Sequence, residues 1–360
     1  MPRPRTSIRI HRVSSIRAAT AGRPGRNRLR ELGGPLLKIG RTGFSRARRA
    51  VLVATATGAL LTATPLATGA SAANPPGWPT VTAKGAFLLD NGNGVGQFAK
   101  AADTRRPMAS TTKIMTAYVV LSQPKLDLSR KITVQKAYPD YVTKVGASSA
   151  YLFVGDKLTT YGMLNAMMGP SGCDAAYALA DTYGKGSTRA ARTADFIAQM
   201  NAKAKALGLT NTRFDSFDGN SPNYSAGNYT TPRDLSRLAR SAMQNTEFKK
   251  LVARSTMNAT ATAANGNTRK YSWPNSNQLI GAYNGAIGVK TGTNTPAGPC
   301  LVFAATRNGK TVTGVVLGSS SVTSRYDDAK KIMEYSLGPA PRNLRSGSGL
   351  RELPPGANRD

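Results

Sequence analysis

Strand-like patterns occur at both ends of the globular part of this 360-residue chain, and helical patterns lie between them. Near the start, apolar segments at 87–90 and 94–98 flank Asn91-Gly92, a dipeptide that favours a hairpin turn. Three more strand patterns follow late in the chain, and a helix over 324–337 comes after them. Strands from both ends must share one sheet, so the order predicts an α/β (α+β) fold with an antiparallel sheet and a helical insertion.

The remaining elements follow from hydrophobic periodicity and from helix start and stop signals. We predict late strands over 286–291, 301–306 and 312–317, and helices over 110–121, 163–168, 171–183 and 193–207. A further helix is expected to begin at Thr231-Pro232, since proline is favoured in the first helical turn. Residues 218–229 are rich in Gly, Asn and Pro and are expected to form a loop.

The start of the chain is typical of a leader rather than of a folded domain. Residues 1–50 contain 14 Lys or Arg and one acidic residue, and residues 50–83 contain no charged residue. A positive region, an apolar region and Ala70-Ser71-Ala72 together predict a secretory signal peptide cleaved after Ala72. A transmembrane helix or a core helix is the alternative, and Pro65 together with the many Thr and Gly residues disfavours a stable span. A twin-arginine signal at Arg48-Arg49 lacks the usual flanking residues.

We therefore expect three parts: a basic leader with signal peptide over 1–72, one catalytic domain over 73–338, and a flexible tail over 339–360. The tail contains only Leu344, Leu350 and Leu353 as sizeable apolar residues, too little to hold a membrane. The protein is expected at the extracellular face of the cell envelope, either secreted or loosely associated. The part after the leader keeps 35 basic and 17 acidic residues, a net charge of +18, which favours anionic wall polymers, whereas no aromatic-basic reader motif indicates nucleic acid.

Histidine and cysteine usage excludes several kinds of chemistry in the folded part. The single histidine, His11, lies in the leader, so neither a Ser-His-Asp triad nor a histidine-bearing zinc site is available. Two cysteines, Cys173 and Cys300, are too few for a four-cysteine metal site. A serine nucleophile would then need another base, and a lysine that burial keeps neutral can serve.

Ser110-Thr111-Thr112-Lys113 supplies such a pair at the start of a predicted helix, where residues three apart lie on one face. Backbone N–H groups at the helix N-terminus would also favour developing negative charge on Ser110. The spacing by itself is weak, because Ser110 is equally suited to be a helix cap. A second copy at Ser122 and Lys125 contains Pro124, which disrupts a helix.

The surrounding residues are more specific. The segment from Arg105 to Thr116 resembles the nucleophile segment of penicillin-binding proteins, in particular the low-molecular-mass serine D-alanyl-D-alanine carboxypeptidases and transpeptidases. Their third motif occurs once, as Lys290-Thr291-Gly292 at the end of an apolar strand. The resemblance extends from Gly85 to Leu337 and includes Pro170–Ala176, Met200–Ala204, Leu207–Phe214 and Tyr229–Leu235.

The middle motif departs from the family. Ser171-Gly172-Cys173 carries cysteine where the family usually has asparagine. A literal Ser-x-Asn at Ser221-Pro222-Asn223 is rejected, because it lies in the predicted loop and has proline at its centre. A thiol is a poor hydrogen-bonding group, so Cys173 either preserves the turn as a small buried residue or shifts the balance between hydrolysis and transfer. A disulfide to Cys300 is possible in an exported protein, but two thiols are favoured.

The resemblance implies a β-lactamase/transpeptidase-like fold, with a five-stranded antiparallel sheet flanked by helices and an inserted all-helical subdomain. It implies that Ser110 attacks the D-Ala-D-Ala end of peptidoglycan stem peptides and is acylated by β-lactams. The catalytic residues would be Ser110, Lys113 and Ser171, and the substrate-binding residues Cys173, Lys290, Thr291, Gly292 and Thr293. No metal or organic cofactor is needed, and a monomer is expected.

Two other functions share part of this pattern. A serine β-lactamase would need a base that activates water, and the only glutamate between Cys173 and Lys290 is Glu247. A catalytically weak wall-binding module is the alternative without enzymatic activity. The intact motif residues argue against the wall-binding module: Ser110, Lys113, Ser171 and Lys290.

Overall fold

The strands predicted near the two ends of the chain do pair in one sheet. The computed structural model describes residues 77–221 and 227–340, so the predicted leader over 1–72 and the tail beyond Ala340 lie outside the described residues. The strands are β1 (Gly85–Asp90), β2 (Gly96–Lys100), β3 (Lys131–Thr133), β4 (Lys157–Thr159), β5 (Thr256–Thr262), β6 (Thr268–Pro274), β7 (Ala286–Gly292), β8 (Cys300–Arg307) and β9 (Lys310–Leu317). The helices are α1 (Lys113–Leu121), α2 (Ala137–Val145), α3 (Thr160–Met168), α4 (Cys173–Tyr183), α5 (Arg189–Ala206), α6 (Pro232–Ala242), α7 (Thr246–Val252) and α8 (Ser324–Leu337).

The main sheet has the order β2-β1-β9-β8-β7, and every neighbouring pair is antiparallel. The N-terminal hairpin and the three late strands are confirmed, and β1 joins them through β9. The strands at the centre are apolar on both faces, because α8 packs on one face of the sheet and the helical part of the chain on the other. This pairing places the end of β7 at one edge of the sheet.

The inserted part is not all-helical, and that expectation was wrong. A second sheet of four strands, in the order β3-β4-β5-β6, lies within the insertion. Its longest strands, β5 and β6, bury alternate residues such as Met257, Tyr271 and Trp273 and leave polar residues exposed. With no continuous apolar run, the strands were inconspicuous in the sequence, although Asn265-Gly266 between them is a hairpin signal.

Two helices begin at other residues than predicted, and both differences lie at functionally relevant positions. The predicted helix over 110–121 is a 3₁₀ turn, Ala109–Thr112, followed by α1. The predicted helix over 171–183 begins only at Cys173, because Ser171 has a left-handed backbone with φ of 66°. No helix among the described residues is both long and apolar enough to cross a membrane.

A buried carboxylate joins the start of the domain to α8. Asp328 accepts hydrogen bonds from the Thr82 and Ala83 backbone N–H groups at 2.8 and 2.9 Å. The hydroxyls of Thr82 and Ser319 each donate to it at 2.8 Å. The segment that leads into β1 is thus held to the last helix.

We predict that Asp328→Ala lowers the free energy of unfolding by about 3 kcal/mol, because the buried Ala83 N–H and Ser319 hydroxyl lose their acceptor. The matched control is Asp327→Ala, since Asp327 is adjacent in sequence and its side chain is exposed. Urea unfolding measures both changes. Equal effects of the two substitutions would contradict the role assigned to Asp328.

Candidate active site

Ser110 and Lys113 form a hydrogen-bonded pair in a buried turn. The 3₁₀ turn has three residues per turn, so side chains at positions i and i+3 are aligned, and Lys113 Nζ lies 3.0 Å from Ser110 Oγ. Ser110 is 7% exposed and Lys113 is 0% exposed. A lysine amine within hydrogen-bond distance of a serine hydroxyl is the arrangement required for general-base activation of a nucleophile.

The Lys113 amine is shared among several segments of the chain. It donates to the backbone carbonyl of Asp218 at 2.9 Å and to Cys173 Sγ at 3.3 Å. These contacts come from residues 60 and 105 positions away. The predicted residues Ser110, Lys113 and Cys173 are therefore brought together around one nitrogen.

The Lys290-Thr291-Gly292 motif lies at the end of β7, against the turn that carries Ser110. A Cβ atom at Gly292 would lie 2.9 Å from the backbone nitrogens of both Ser110 and Thr111, which explains the glycine. Lys290 is buried and its Nζ donates to the Thr291 carbonyl at 3.0 Å. Thr291 Oγ1 lies 2.8 Å from the hydroxyl of Ser276.

The Ser171-Gly172-Cys173 segment is a tight connection between α3 and α4. Ser171 is fully buried, and among the described residues its hydroxyl has no hydrogen-bond partner. The sequence-predicted role of Ser171 as a proton relay is thus not visible as a preformed hydrogen bond to Ser110 or Lys113. A buried hydroxyl without a protein partner is uncommon and is available to a bound molecule.

Both cysteines are buried free thiols, so the favoured prediction of two thiols is confirmed. Burial raises the pKa of the Cys300 thiol to about 11, which keeps it protonated at neutral pH. Cys173 instead contacts Lys113 and accepts a hydrogen bond from Asn220 Nδ2 at 3.4 Å. Of the two thiols, only Cys173 therefore lies among the described site residues.

Asp174, next to Cys173, holds the turn that faces Ser110. Its carboxylate accepts hydrogen bonds from the backbone N–H groups of Ala150 and Leu152 and from the hydroxyl of Ser149. Burial raises the pKa of the Asp174 carboxyl above its ordinary value, while these hydrogen bonds act in the opposite direction. The carboxyl ties the start of α4 to the turn at residues 148–152.

A cavity of about 300 Å³ lies above Ser110. It is lined by Ser110, Val145, Gly146, Ala147, Ser148, Asn220, Thr293, Asn294, Thr295 and Pro296. Of the eight predicted site residues, Ser110 and Thr293 line the cavity, and the others are buried around them. The lining contains no carboxylate among the described residues.

Comparison with known proteins agrees with this geometry. The family model described as D-alanyl-D-alanine carboxypeptidase matches residues 69–321. The D-alanyl-D-alanine carboxypeptidase of Streptomyces sp. strain K15 is 52% identical over 293 residues, covering 81% of this chain and 99% of that protein. The crystal structure of the Streptomyces K15 DD-transpeptidase matches with a TM-score of 0.70 and 54% identity, over 72% of this chain and 98% of that one.

This chain belongs to the D-alanyl-D-alanine carboxypeptidase family. It is a serine peptidase with the β-lactamase/transpeptidase fold, as the resemblance implied. A more distant member, carboxypeptidase DacC of Escherichia coli K12, is 32% identical over 270 residues. That match covers 72% of this chain and 62% of the longer relative.

Sequence reasoning missed the segment Asp218-Gly219-Asn220 of this family member. It was assigned to a loop, yet its backbone carbonyl at Asp218 contacts Lys113 and Asn220 lines the cavity. A Cβ atom at Gly219 would lie 2.1 Å from the carbonyl oxygen of Ala109. The only local signal was the Asp-Gly-Asn turn chemistry, which does not reveal what the turn packs against.

Arg325 was also missed. It is 2% exposed, and its Nη1 donates to Thr293 Oγ1 at 3.0 Å, directly beneath a cavity-lining residue. Its Nη2 donates to the Tyr326 hydroxyl at 3.1 Å. A buried guanidinium places positive charge at this wall of the cavity. The sequence contained no signal for it, because Arg325 lies 32 residues beyond Thr293, in the helix predicted over 324–337.

The rejected alternative at Ser221-Pro222-Asn223 is only partly described. Ser221 is buried and its hydroxyl donates to Asp215 Oδ2 at 2.6 Å. Pro222 and Asn223 lie outside the described residues. The placement of Cys173 against Lys113 favours Ser171-Gly172-Cys173 as the middle motif.

We predict that Gly219→Ala lowers the rate of acylation by a fluorescent penicillin about a hundred-fold. The added Cβ would displace the Ala109–Ser110 peptide, and displacements near 1 Å at a nucleophile have effects of this size. Gly266→Ala is the matched control, because Gly266 also has a positive φ but nothing lies within 4 Å of its added Cβ. A Gly219→Ala rate equal to that of the control would contradict the prediction.

Proposed function

We propose that this peptidase acylates Ser110 with the D-Ala-D-Ala end of peptidoglycan stem peptides, releases D-alanine, and passes the acyl group to water or to an acceptor amine. The observation that carries the proposal is the 3.0 Å contact between Lys113 Nζ and Ser110 Oγ at the floor of the cavity. No residue other than this lysine contacts the serine hydroxyl among the described hydrogen bonds. Base and nucleophile are thus paired without a histidine.

In the proposed acylation, Ser110 Oγ attacks the carbonyl carbon of the penultimate D-alanine. Lys113 in its neutral form accepts the hydroxyl proton, and the backbone N–H groups of Ser110 and Thr293 stabilise the oxyanion. Ser171 relays this proton from Lys113 to the departing D-alanine nitrogen, a role for which its buried hydroxyl, without a hydrogen-bond partner among the described residues, is available. The bond from serine oxygen to carbonyl carbon forms, and the carbon–nitrogen bond breaks.

The carboxylate of the terminal D-alanine is assigned to the β7 side of the cavity. Thr291 and Thr293 carry the hydroxyls there, and Gly292 between them permits close approach to the Ser110 turn. The buried Lys290 amine and the buried Arg325 guanidinium lie next to these threonines. The guanidinium charge in a poorly solvated wall would attract a substrate carboxylate strongly.

Both fates of the acyl-enzyme are kept in the proposal. Two matched proteins from Streptomyces K15 carry the names carboxypeptidase and DD-transpeptidase. Rapid hydrolysis of a penicilloyl-enzyme, as in a β-lactamase, is disfavoured here. Glu247 forms an ion pair with Lys250 at 2.8 Å in α7 and is not among the cavity-lining residues of the described structure.

We place the substrate contacts outside the cytoplasmic membrane, with stem peptides and β-lactams as ligands and anionic wall polymers as a further partner for the positive surface. The family acts on the cell wall, which agrees with an envelope location. We further propose that the chain is cleaved after Ala72 and that the mature enzyme is a monomer, either secreted or loosely attached to the envelope.

A fluorescent penicillin tests the catalytic assignment. We expect a long-lived adduct on the peptide that contains Ser110, no adduct in Ser110→Ala, and acylation at least about a hundred-fold slower in Lys113→Ala, the usual contribution of a general base. Ser122→Ala and Lys125→Ala are matched controls from the second serine–lysine copy, where Lys125 is exposed. Mass spectrometry and labelling rates provide the measurement.

Each alternative has its own result in this experiment. A label that is lost within seconds from the wild type would indicate a β-lactamase. A wild type that is never labelled would indicate a binding module. An adduct that persists in Ser110→Ala would overturn the assignment of the nucleophile.

Fractionation of cells that express the full chain tests the proposed location. We expect the mature N-terminus at Ala73 and an enzyme that high salt releases from the envelope, because charge alone would hold it. N-terminal sequencing and activity assays of each fraction measure this. Enzyme that begins at Ala73 and needs detergent for release would contradict the proposal.

A further inference from the structure

Asn220 is a cavity residue that none of the family motifs includes. It is half-buried and lines the same cavity as Ser110. Its side-chain Nδ2 lies 3.4 Å from Cys173 Sγ, the position at which the family usually has the motif asparagine. The Asn220 amide therefore lies close to the position of the motif asparagine, which is replaced here by Cys173.

The orientation of the Asn220 amide is fixed by the fully buried Asp218. The Asp218 carboxylate accepts from the Asn220 backbone N–H at 2.9 Å, from Asn220 Nδ2 at 3.1 Å and from the Tyr141 hydroxyl at 2.9 Å. Because a carboxylate only accepts, it fixes the amide with Nδ2 directed inward. The carbonyl of the same Asp218 accepts from Lys113, so this residue links the amide to the catalytic base.

The two hydrogens of Nδ2 have partners of unequal strength. One faces the Asp218 carboxylate, and the other faces the Cys173 thiol, a weak acceptor. A substrate carbonyl oxygen is a much better acceptor than sulfur. The second N–H can therefore exchange its hydrogen bond with the thiol for one with the substrate oxygen at little cost in free energy. The geometry thus holds a preformed donor beside Ser110.

We propose that Asn220 is a substrate-binding residue whose amide replaces the one absent at Cys173. It donates to the amide carbonyl next to the scissile bond in a stem peptide, or to the acylamino carbonyl of a penicillin. The inference rests on the proposed acylation of Ser110. Asn220, which lies outside the three motifs, thus selects substrates that carry this carbonyl.

The test compares two β-lactams that differ in that carbonyl. Benzylpenicillin has an acylamino carbonyl, and 6-aminopenicillanic acid has a free amine in its place. We expect Asn220→Ala to slow acylation of Ser110 by benzylpenicillin about ten-fold or more, the usual effect of a lost hydrogen bond. The rate with 6-aminopenicillanic acid should change little, so the ratio of the two rates falls.

Two further variants separate recognition from a general disturbance. Asn265→Ala, in the exposed turn between β5 and β6, is the control and should leave the ratio at the wild-type value. The double variant Cys173→Asn with Asn220→Ala places an amide at residue 173 instead of residue 220. It should restore most of the wild-type ratio of the benzylpenicillin rate to the 6-aminopenicillanic acid rate. These comparisons use ratios within one variant, so a partial loss of folded enzyme does not affect them.

Equal slowing of both β-lactams by Asn220→Ala would overturn the inference, because it would show that Asn220 only supports the fold of the site. A double variant whose ratio stays at the Asn220→Ala value would also overturn it. Failure of the wild type to be acylated at Ser110 is a different result, which would contradict the proposed function itself.

Discussion

The Lys113 amine is the interaction on which the site depends. It is fully buried, and it contacts the Ser110 hydroxyl, the Cys173 thiol and the Asp218 carbonyl. A buried amine needs hydrogen-bond partners, since an unsatisfied one would carry a large desolvation cost. The same contacts that satisfy Lys113 therefore bring the start of α1, the start of α4 and the segment after Phe217 to one point. Folding and catalytic geometry are coupled through this one nitrogen.

Close backbone approach completes the arrangement, and glycine permits it. Gly292 brings β7 against the backbone nitrogens of Ser110 and Thr111, and Gly219 lies against the carbonyl of Ala109. Both positions would be sterically blocked by a Cβ atom. The nucleophile turn is held between a strand of the main sheet and a segment of the insertion. Positioning by backbone is well suited to catalysis, because it leaves little freedom for the serine to move.

Local patterns predicted the main sheet and the helices α3 to α6, but not the second sheet. The hairpin β1–β2 and the strands β7 to β9 were visible because turn signals and apolar runs bound them. The four-stranded sheet was missed because β5 and β6 are half polar, and their strand character arises from burial on one face only. The start of α4 was placed two residues early, because the left-handed Ser171 depends on packing rather than on residue type.

The sequence by itself determined the chemistry available to this protein: no histidine in the folded part, a serine–lysine pair, a Lys-Thr-Gly strand end and a cysteine in the middle motif. Those residue types and their order were sufficient to indicate the family. Only the tertiary structure decided that Asn220 lines the cavity, that Arg325 donates to the cavity-lining Thr293, that Asp174 holds the turn at residues 148–152, and that the Ser171 hydroxyl has no hydrogen-bond partner among the described residues. The physical reason is sequence distance. These roles come from contacts between segments far apart in the chain, and local periodicity does not predict such contacts.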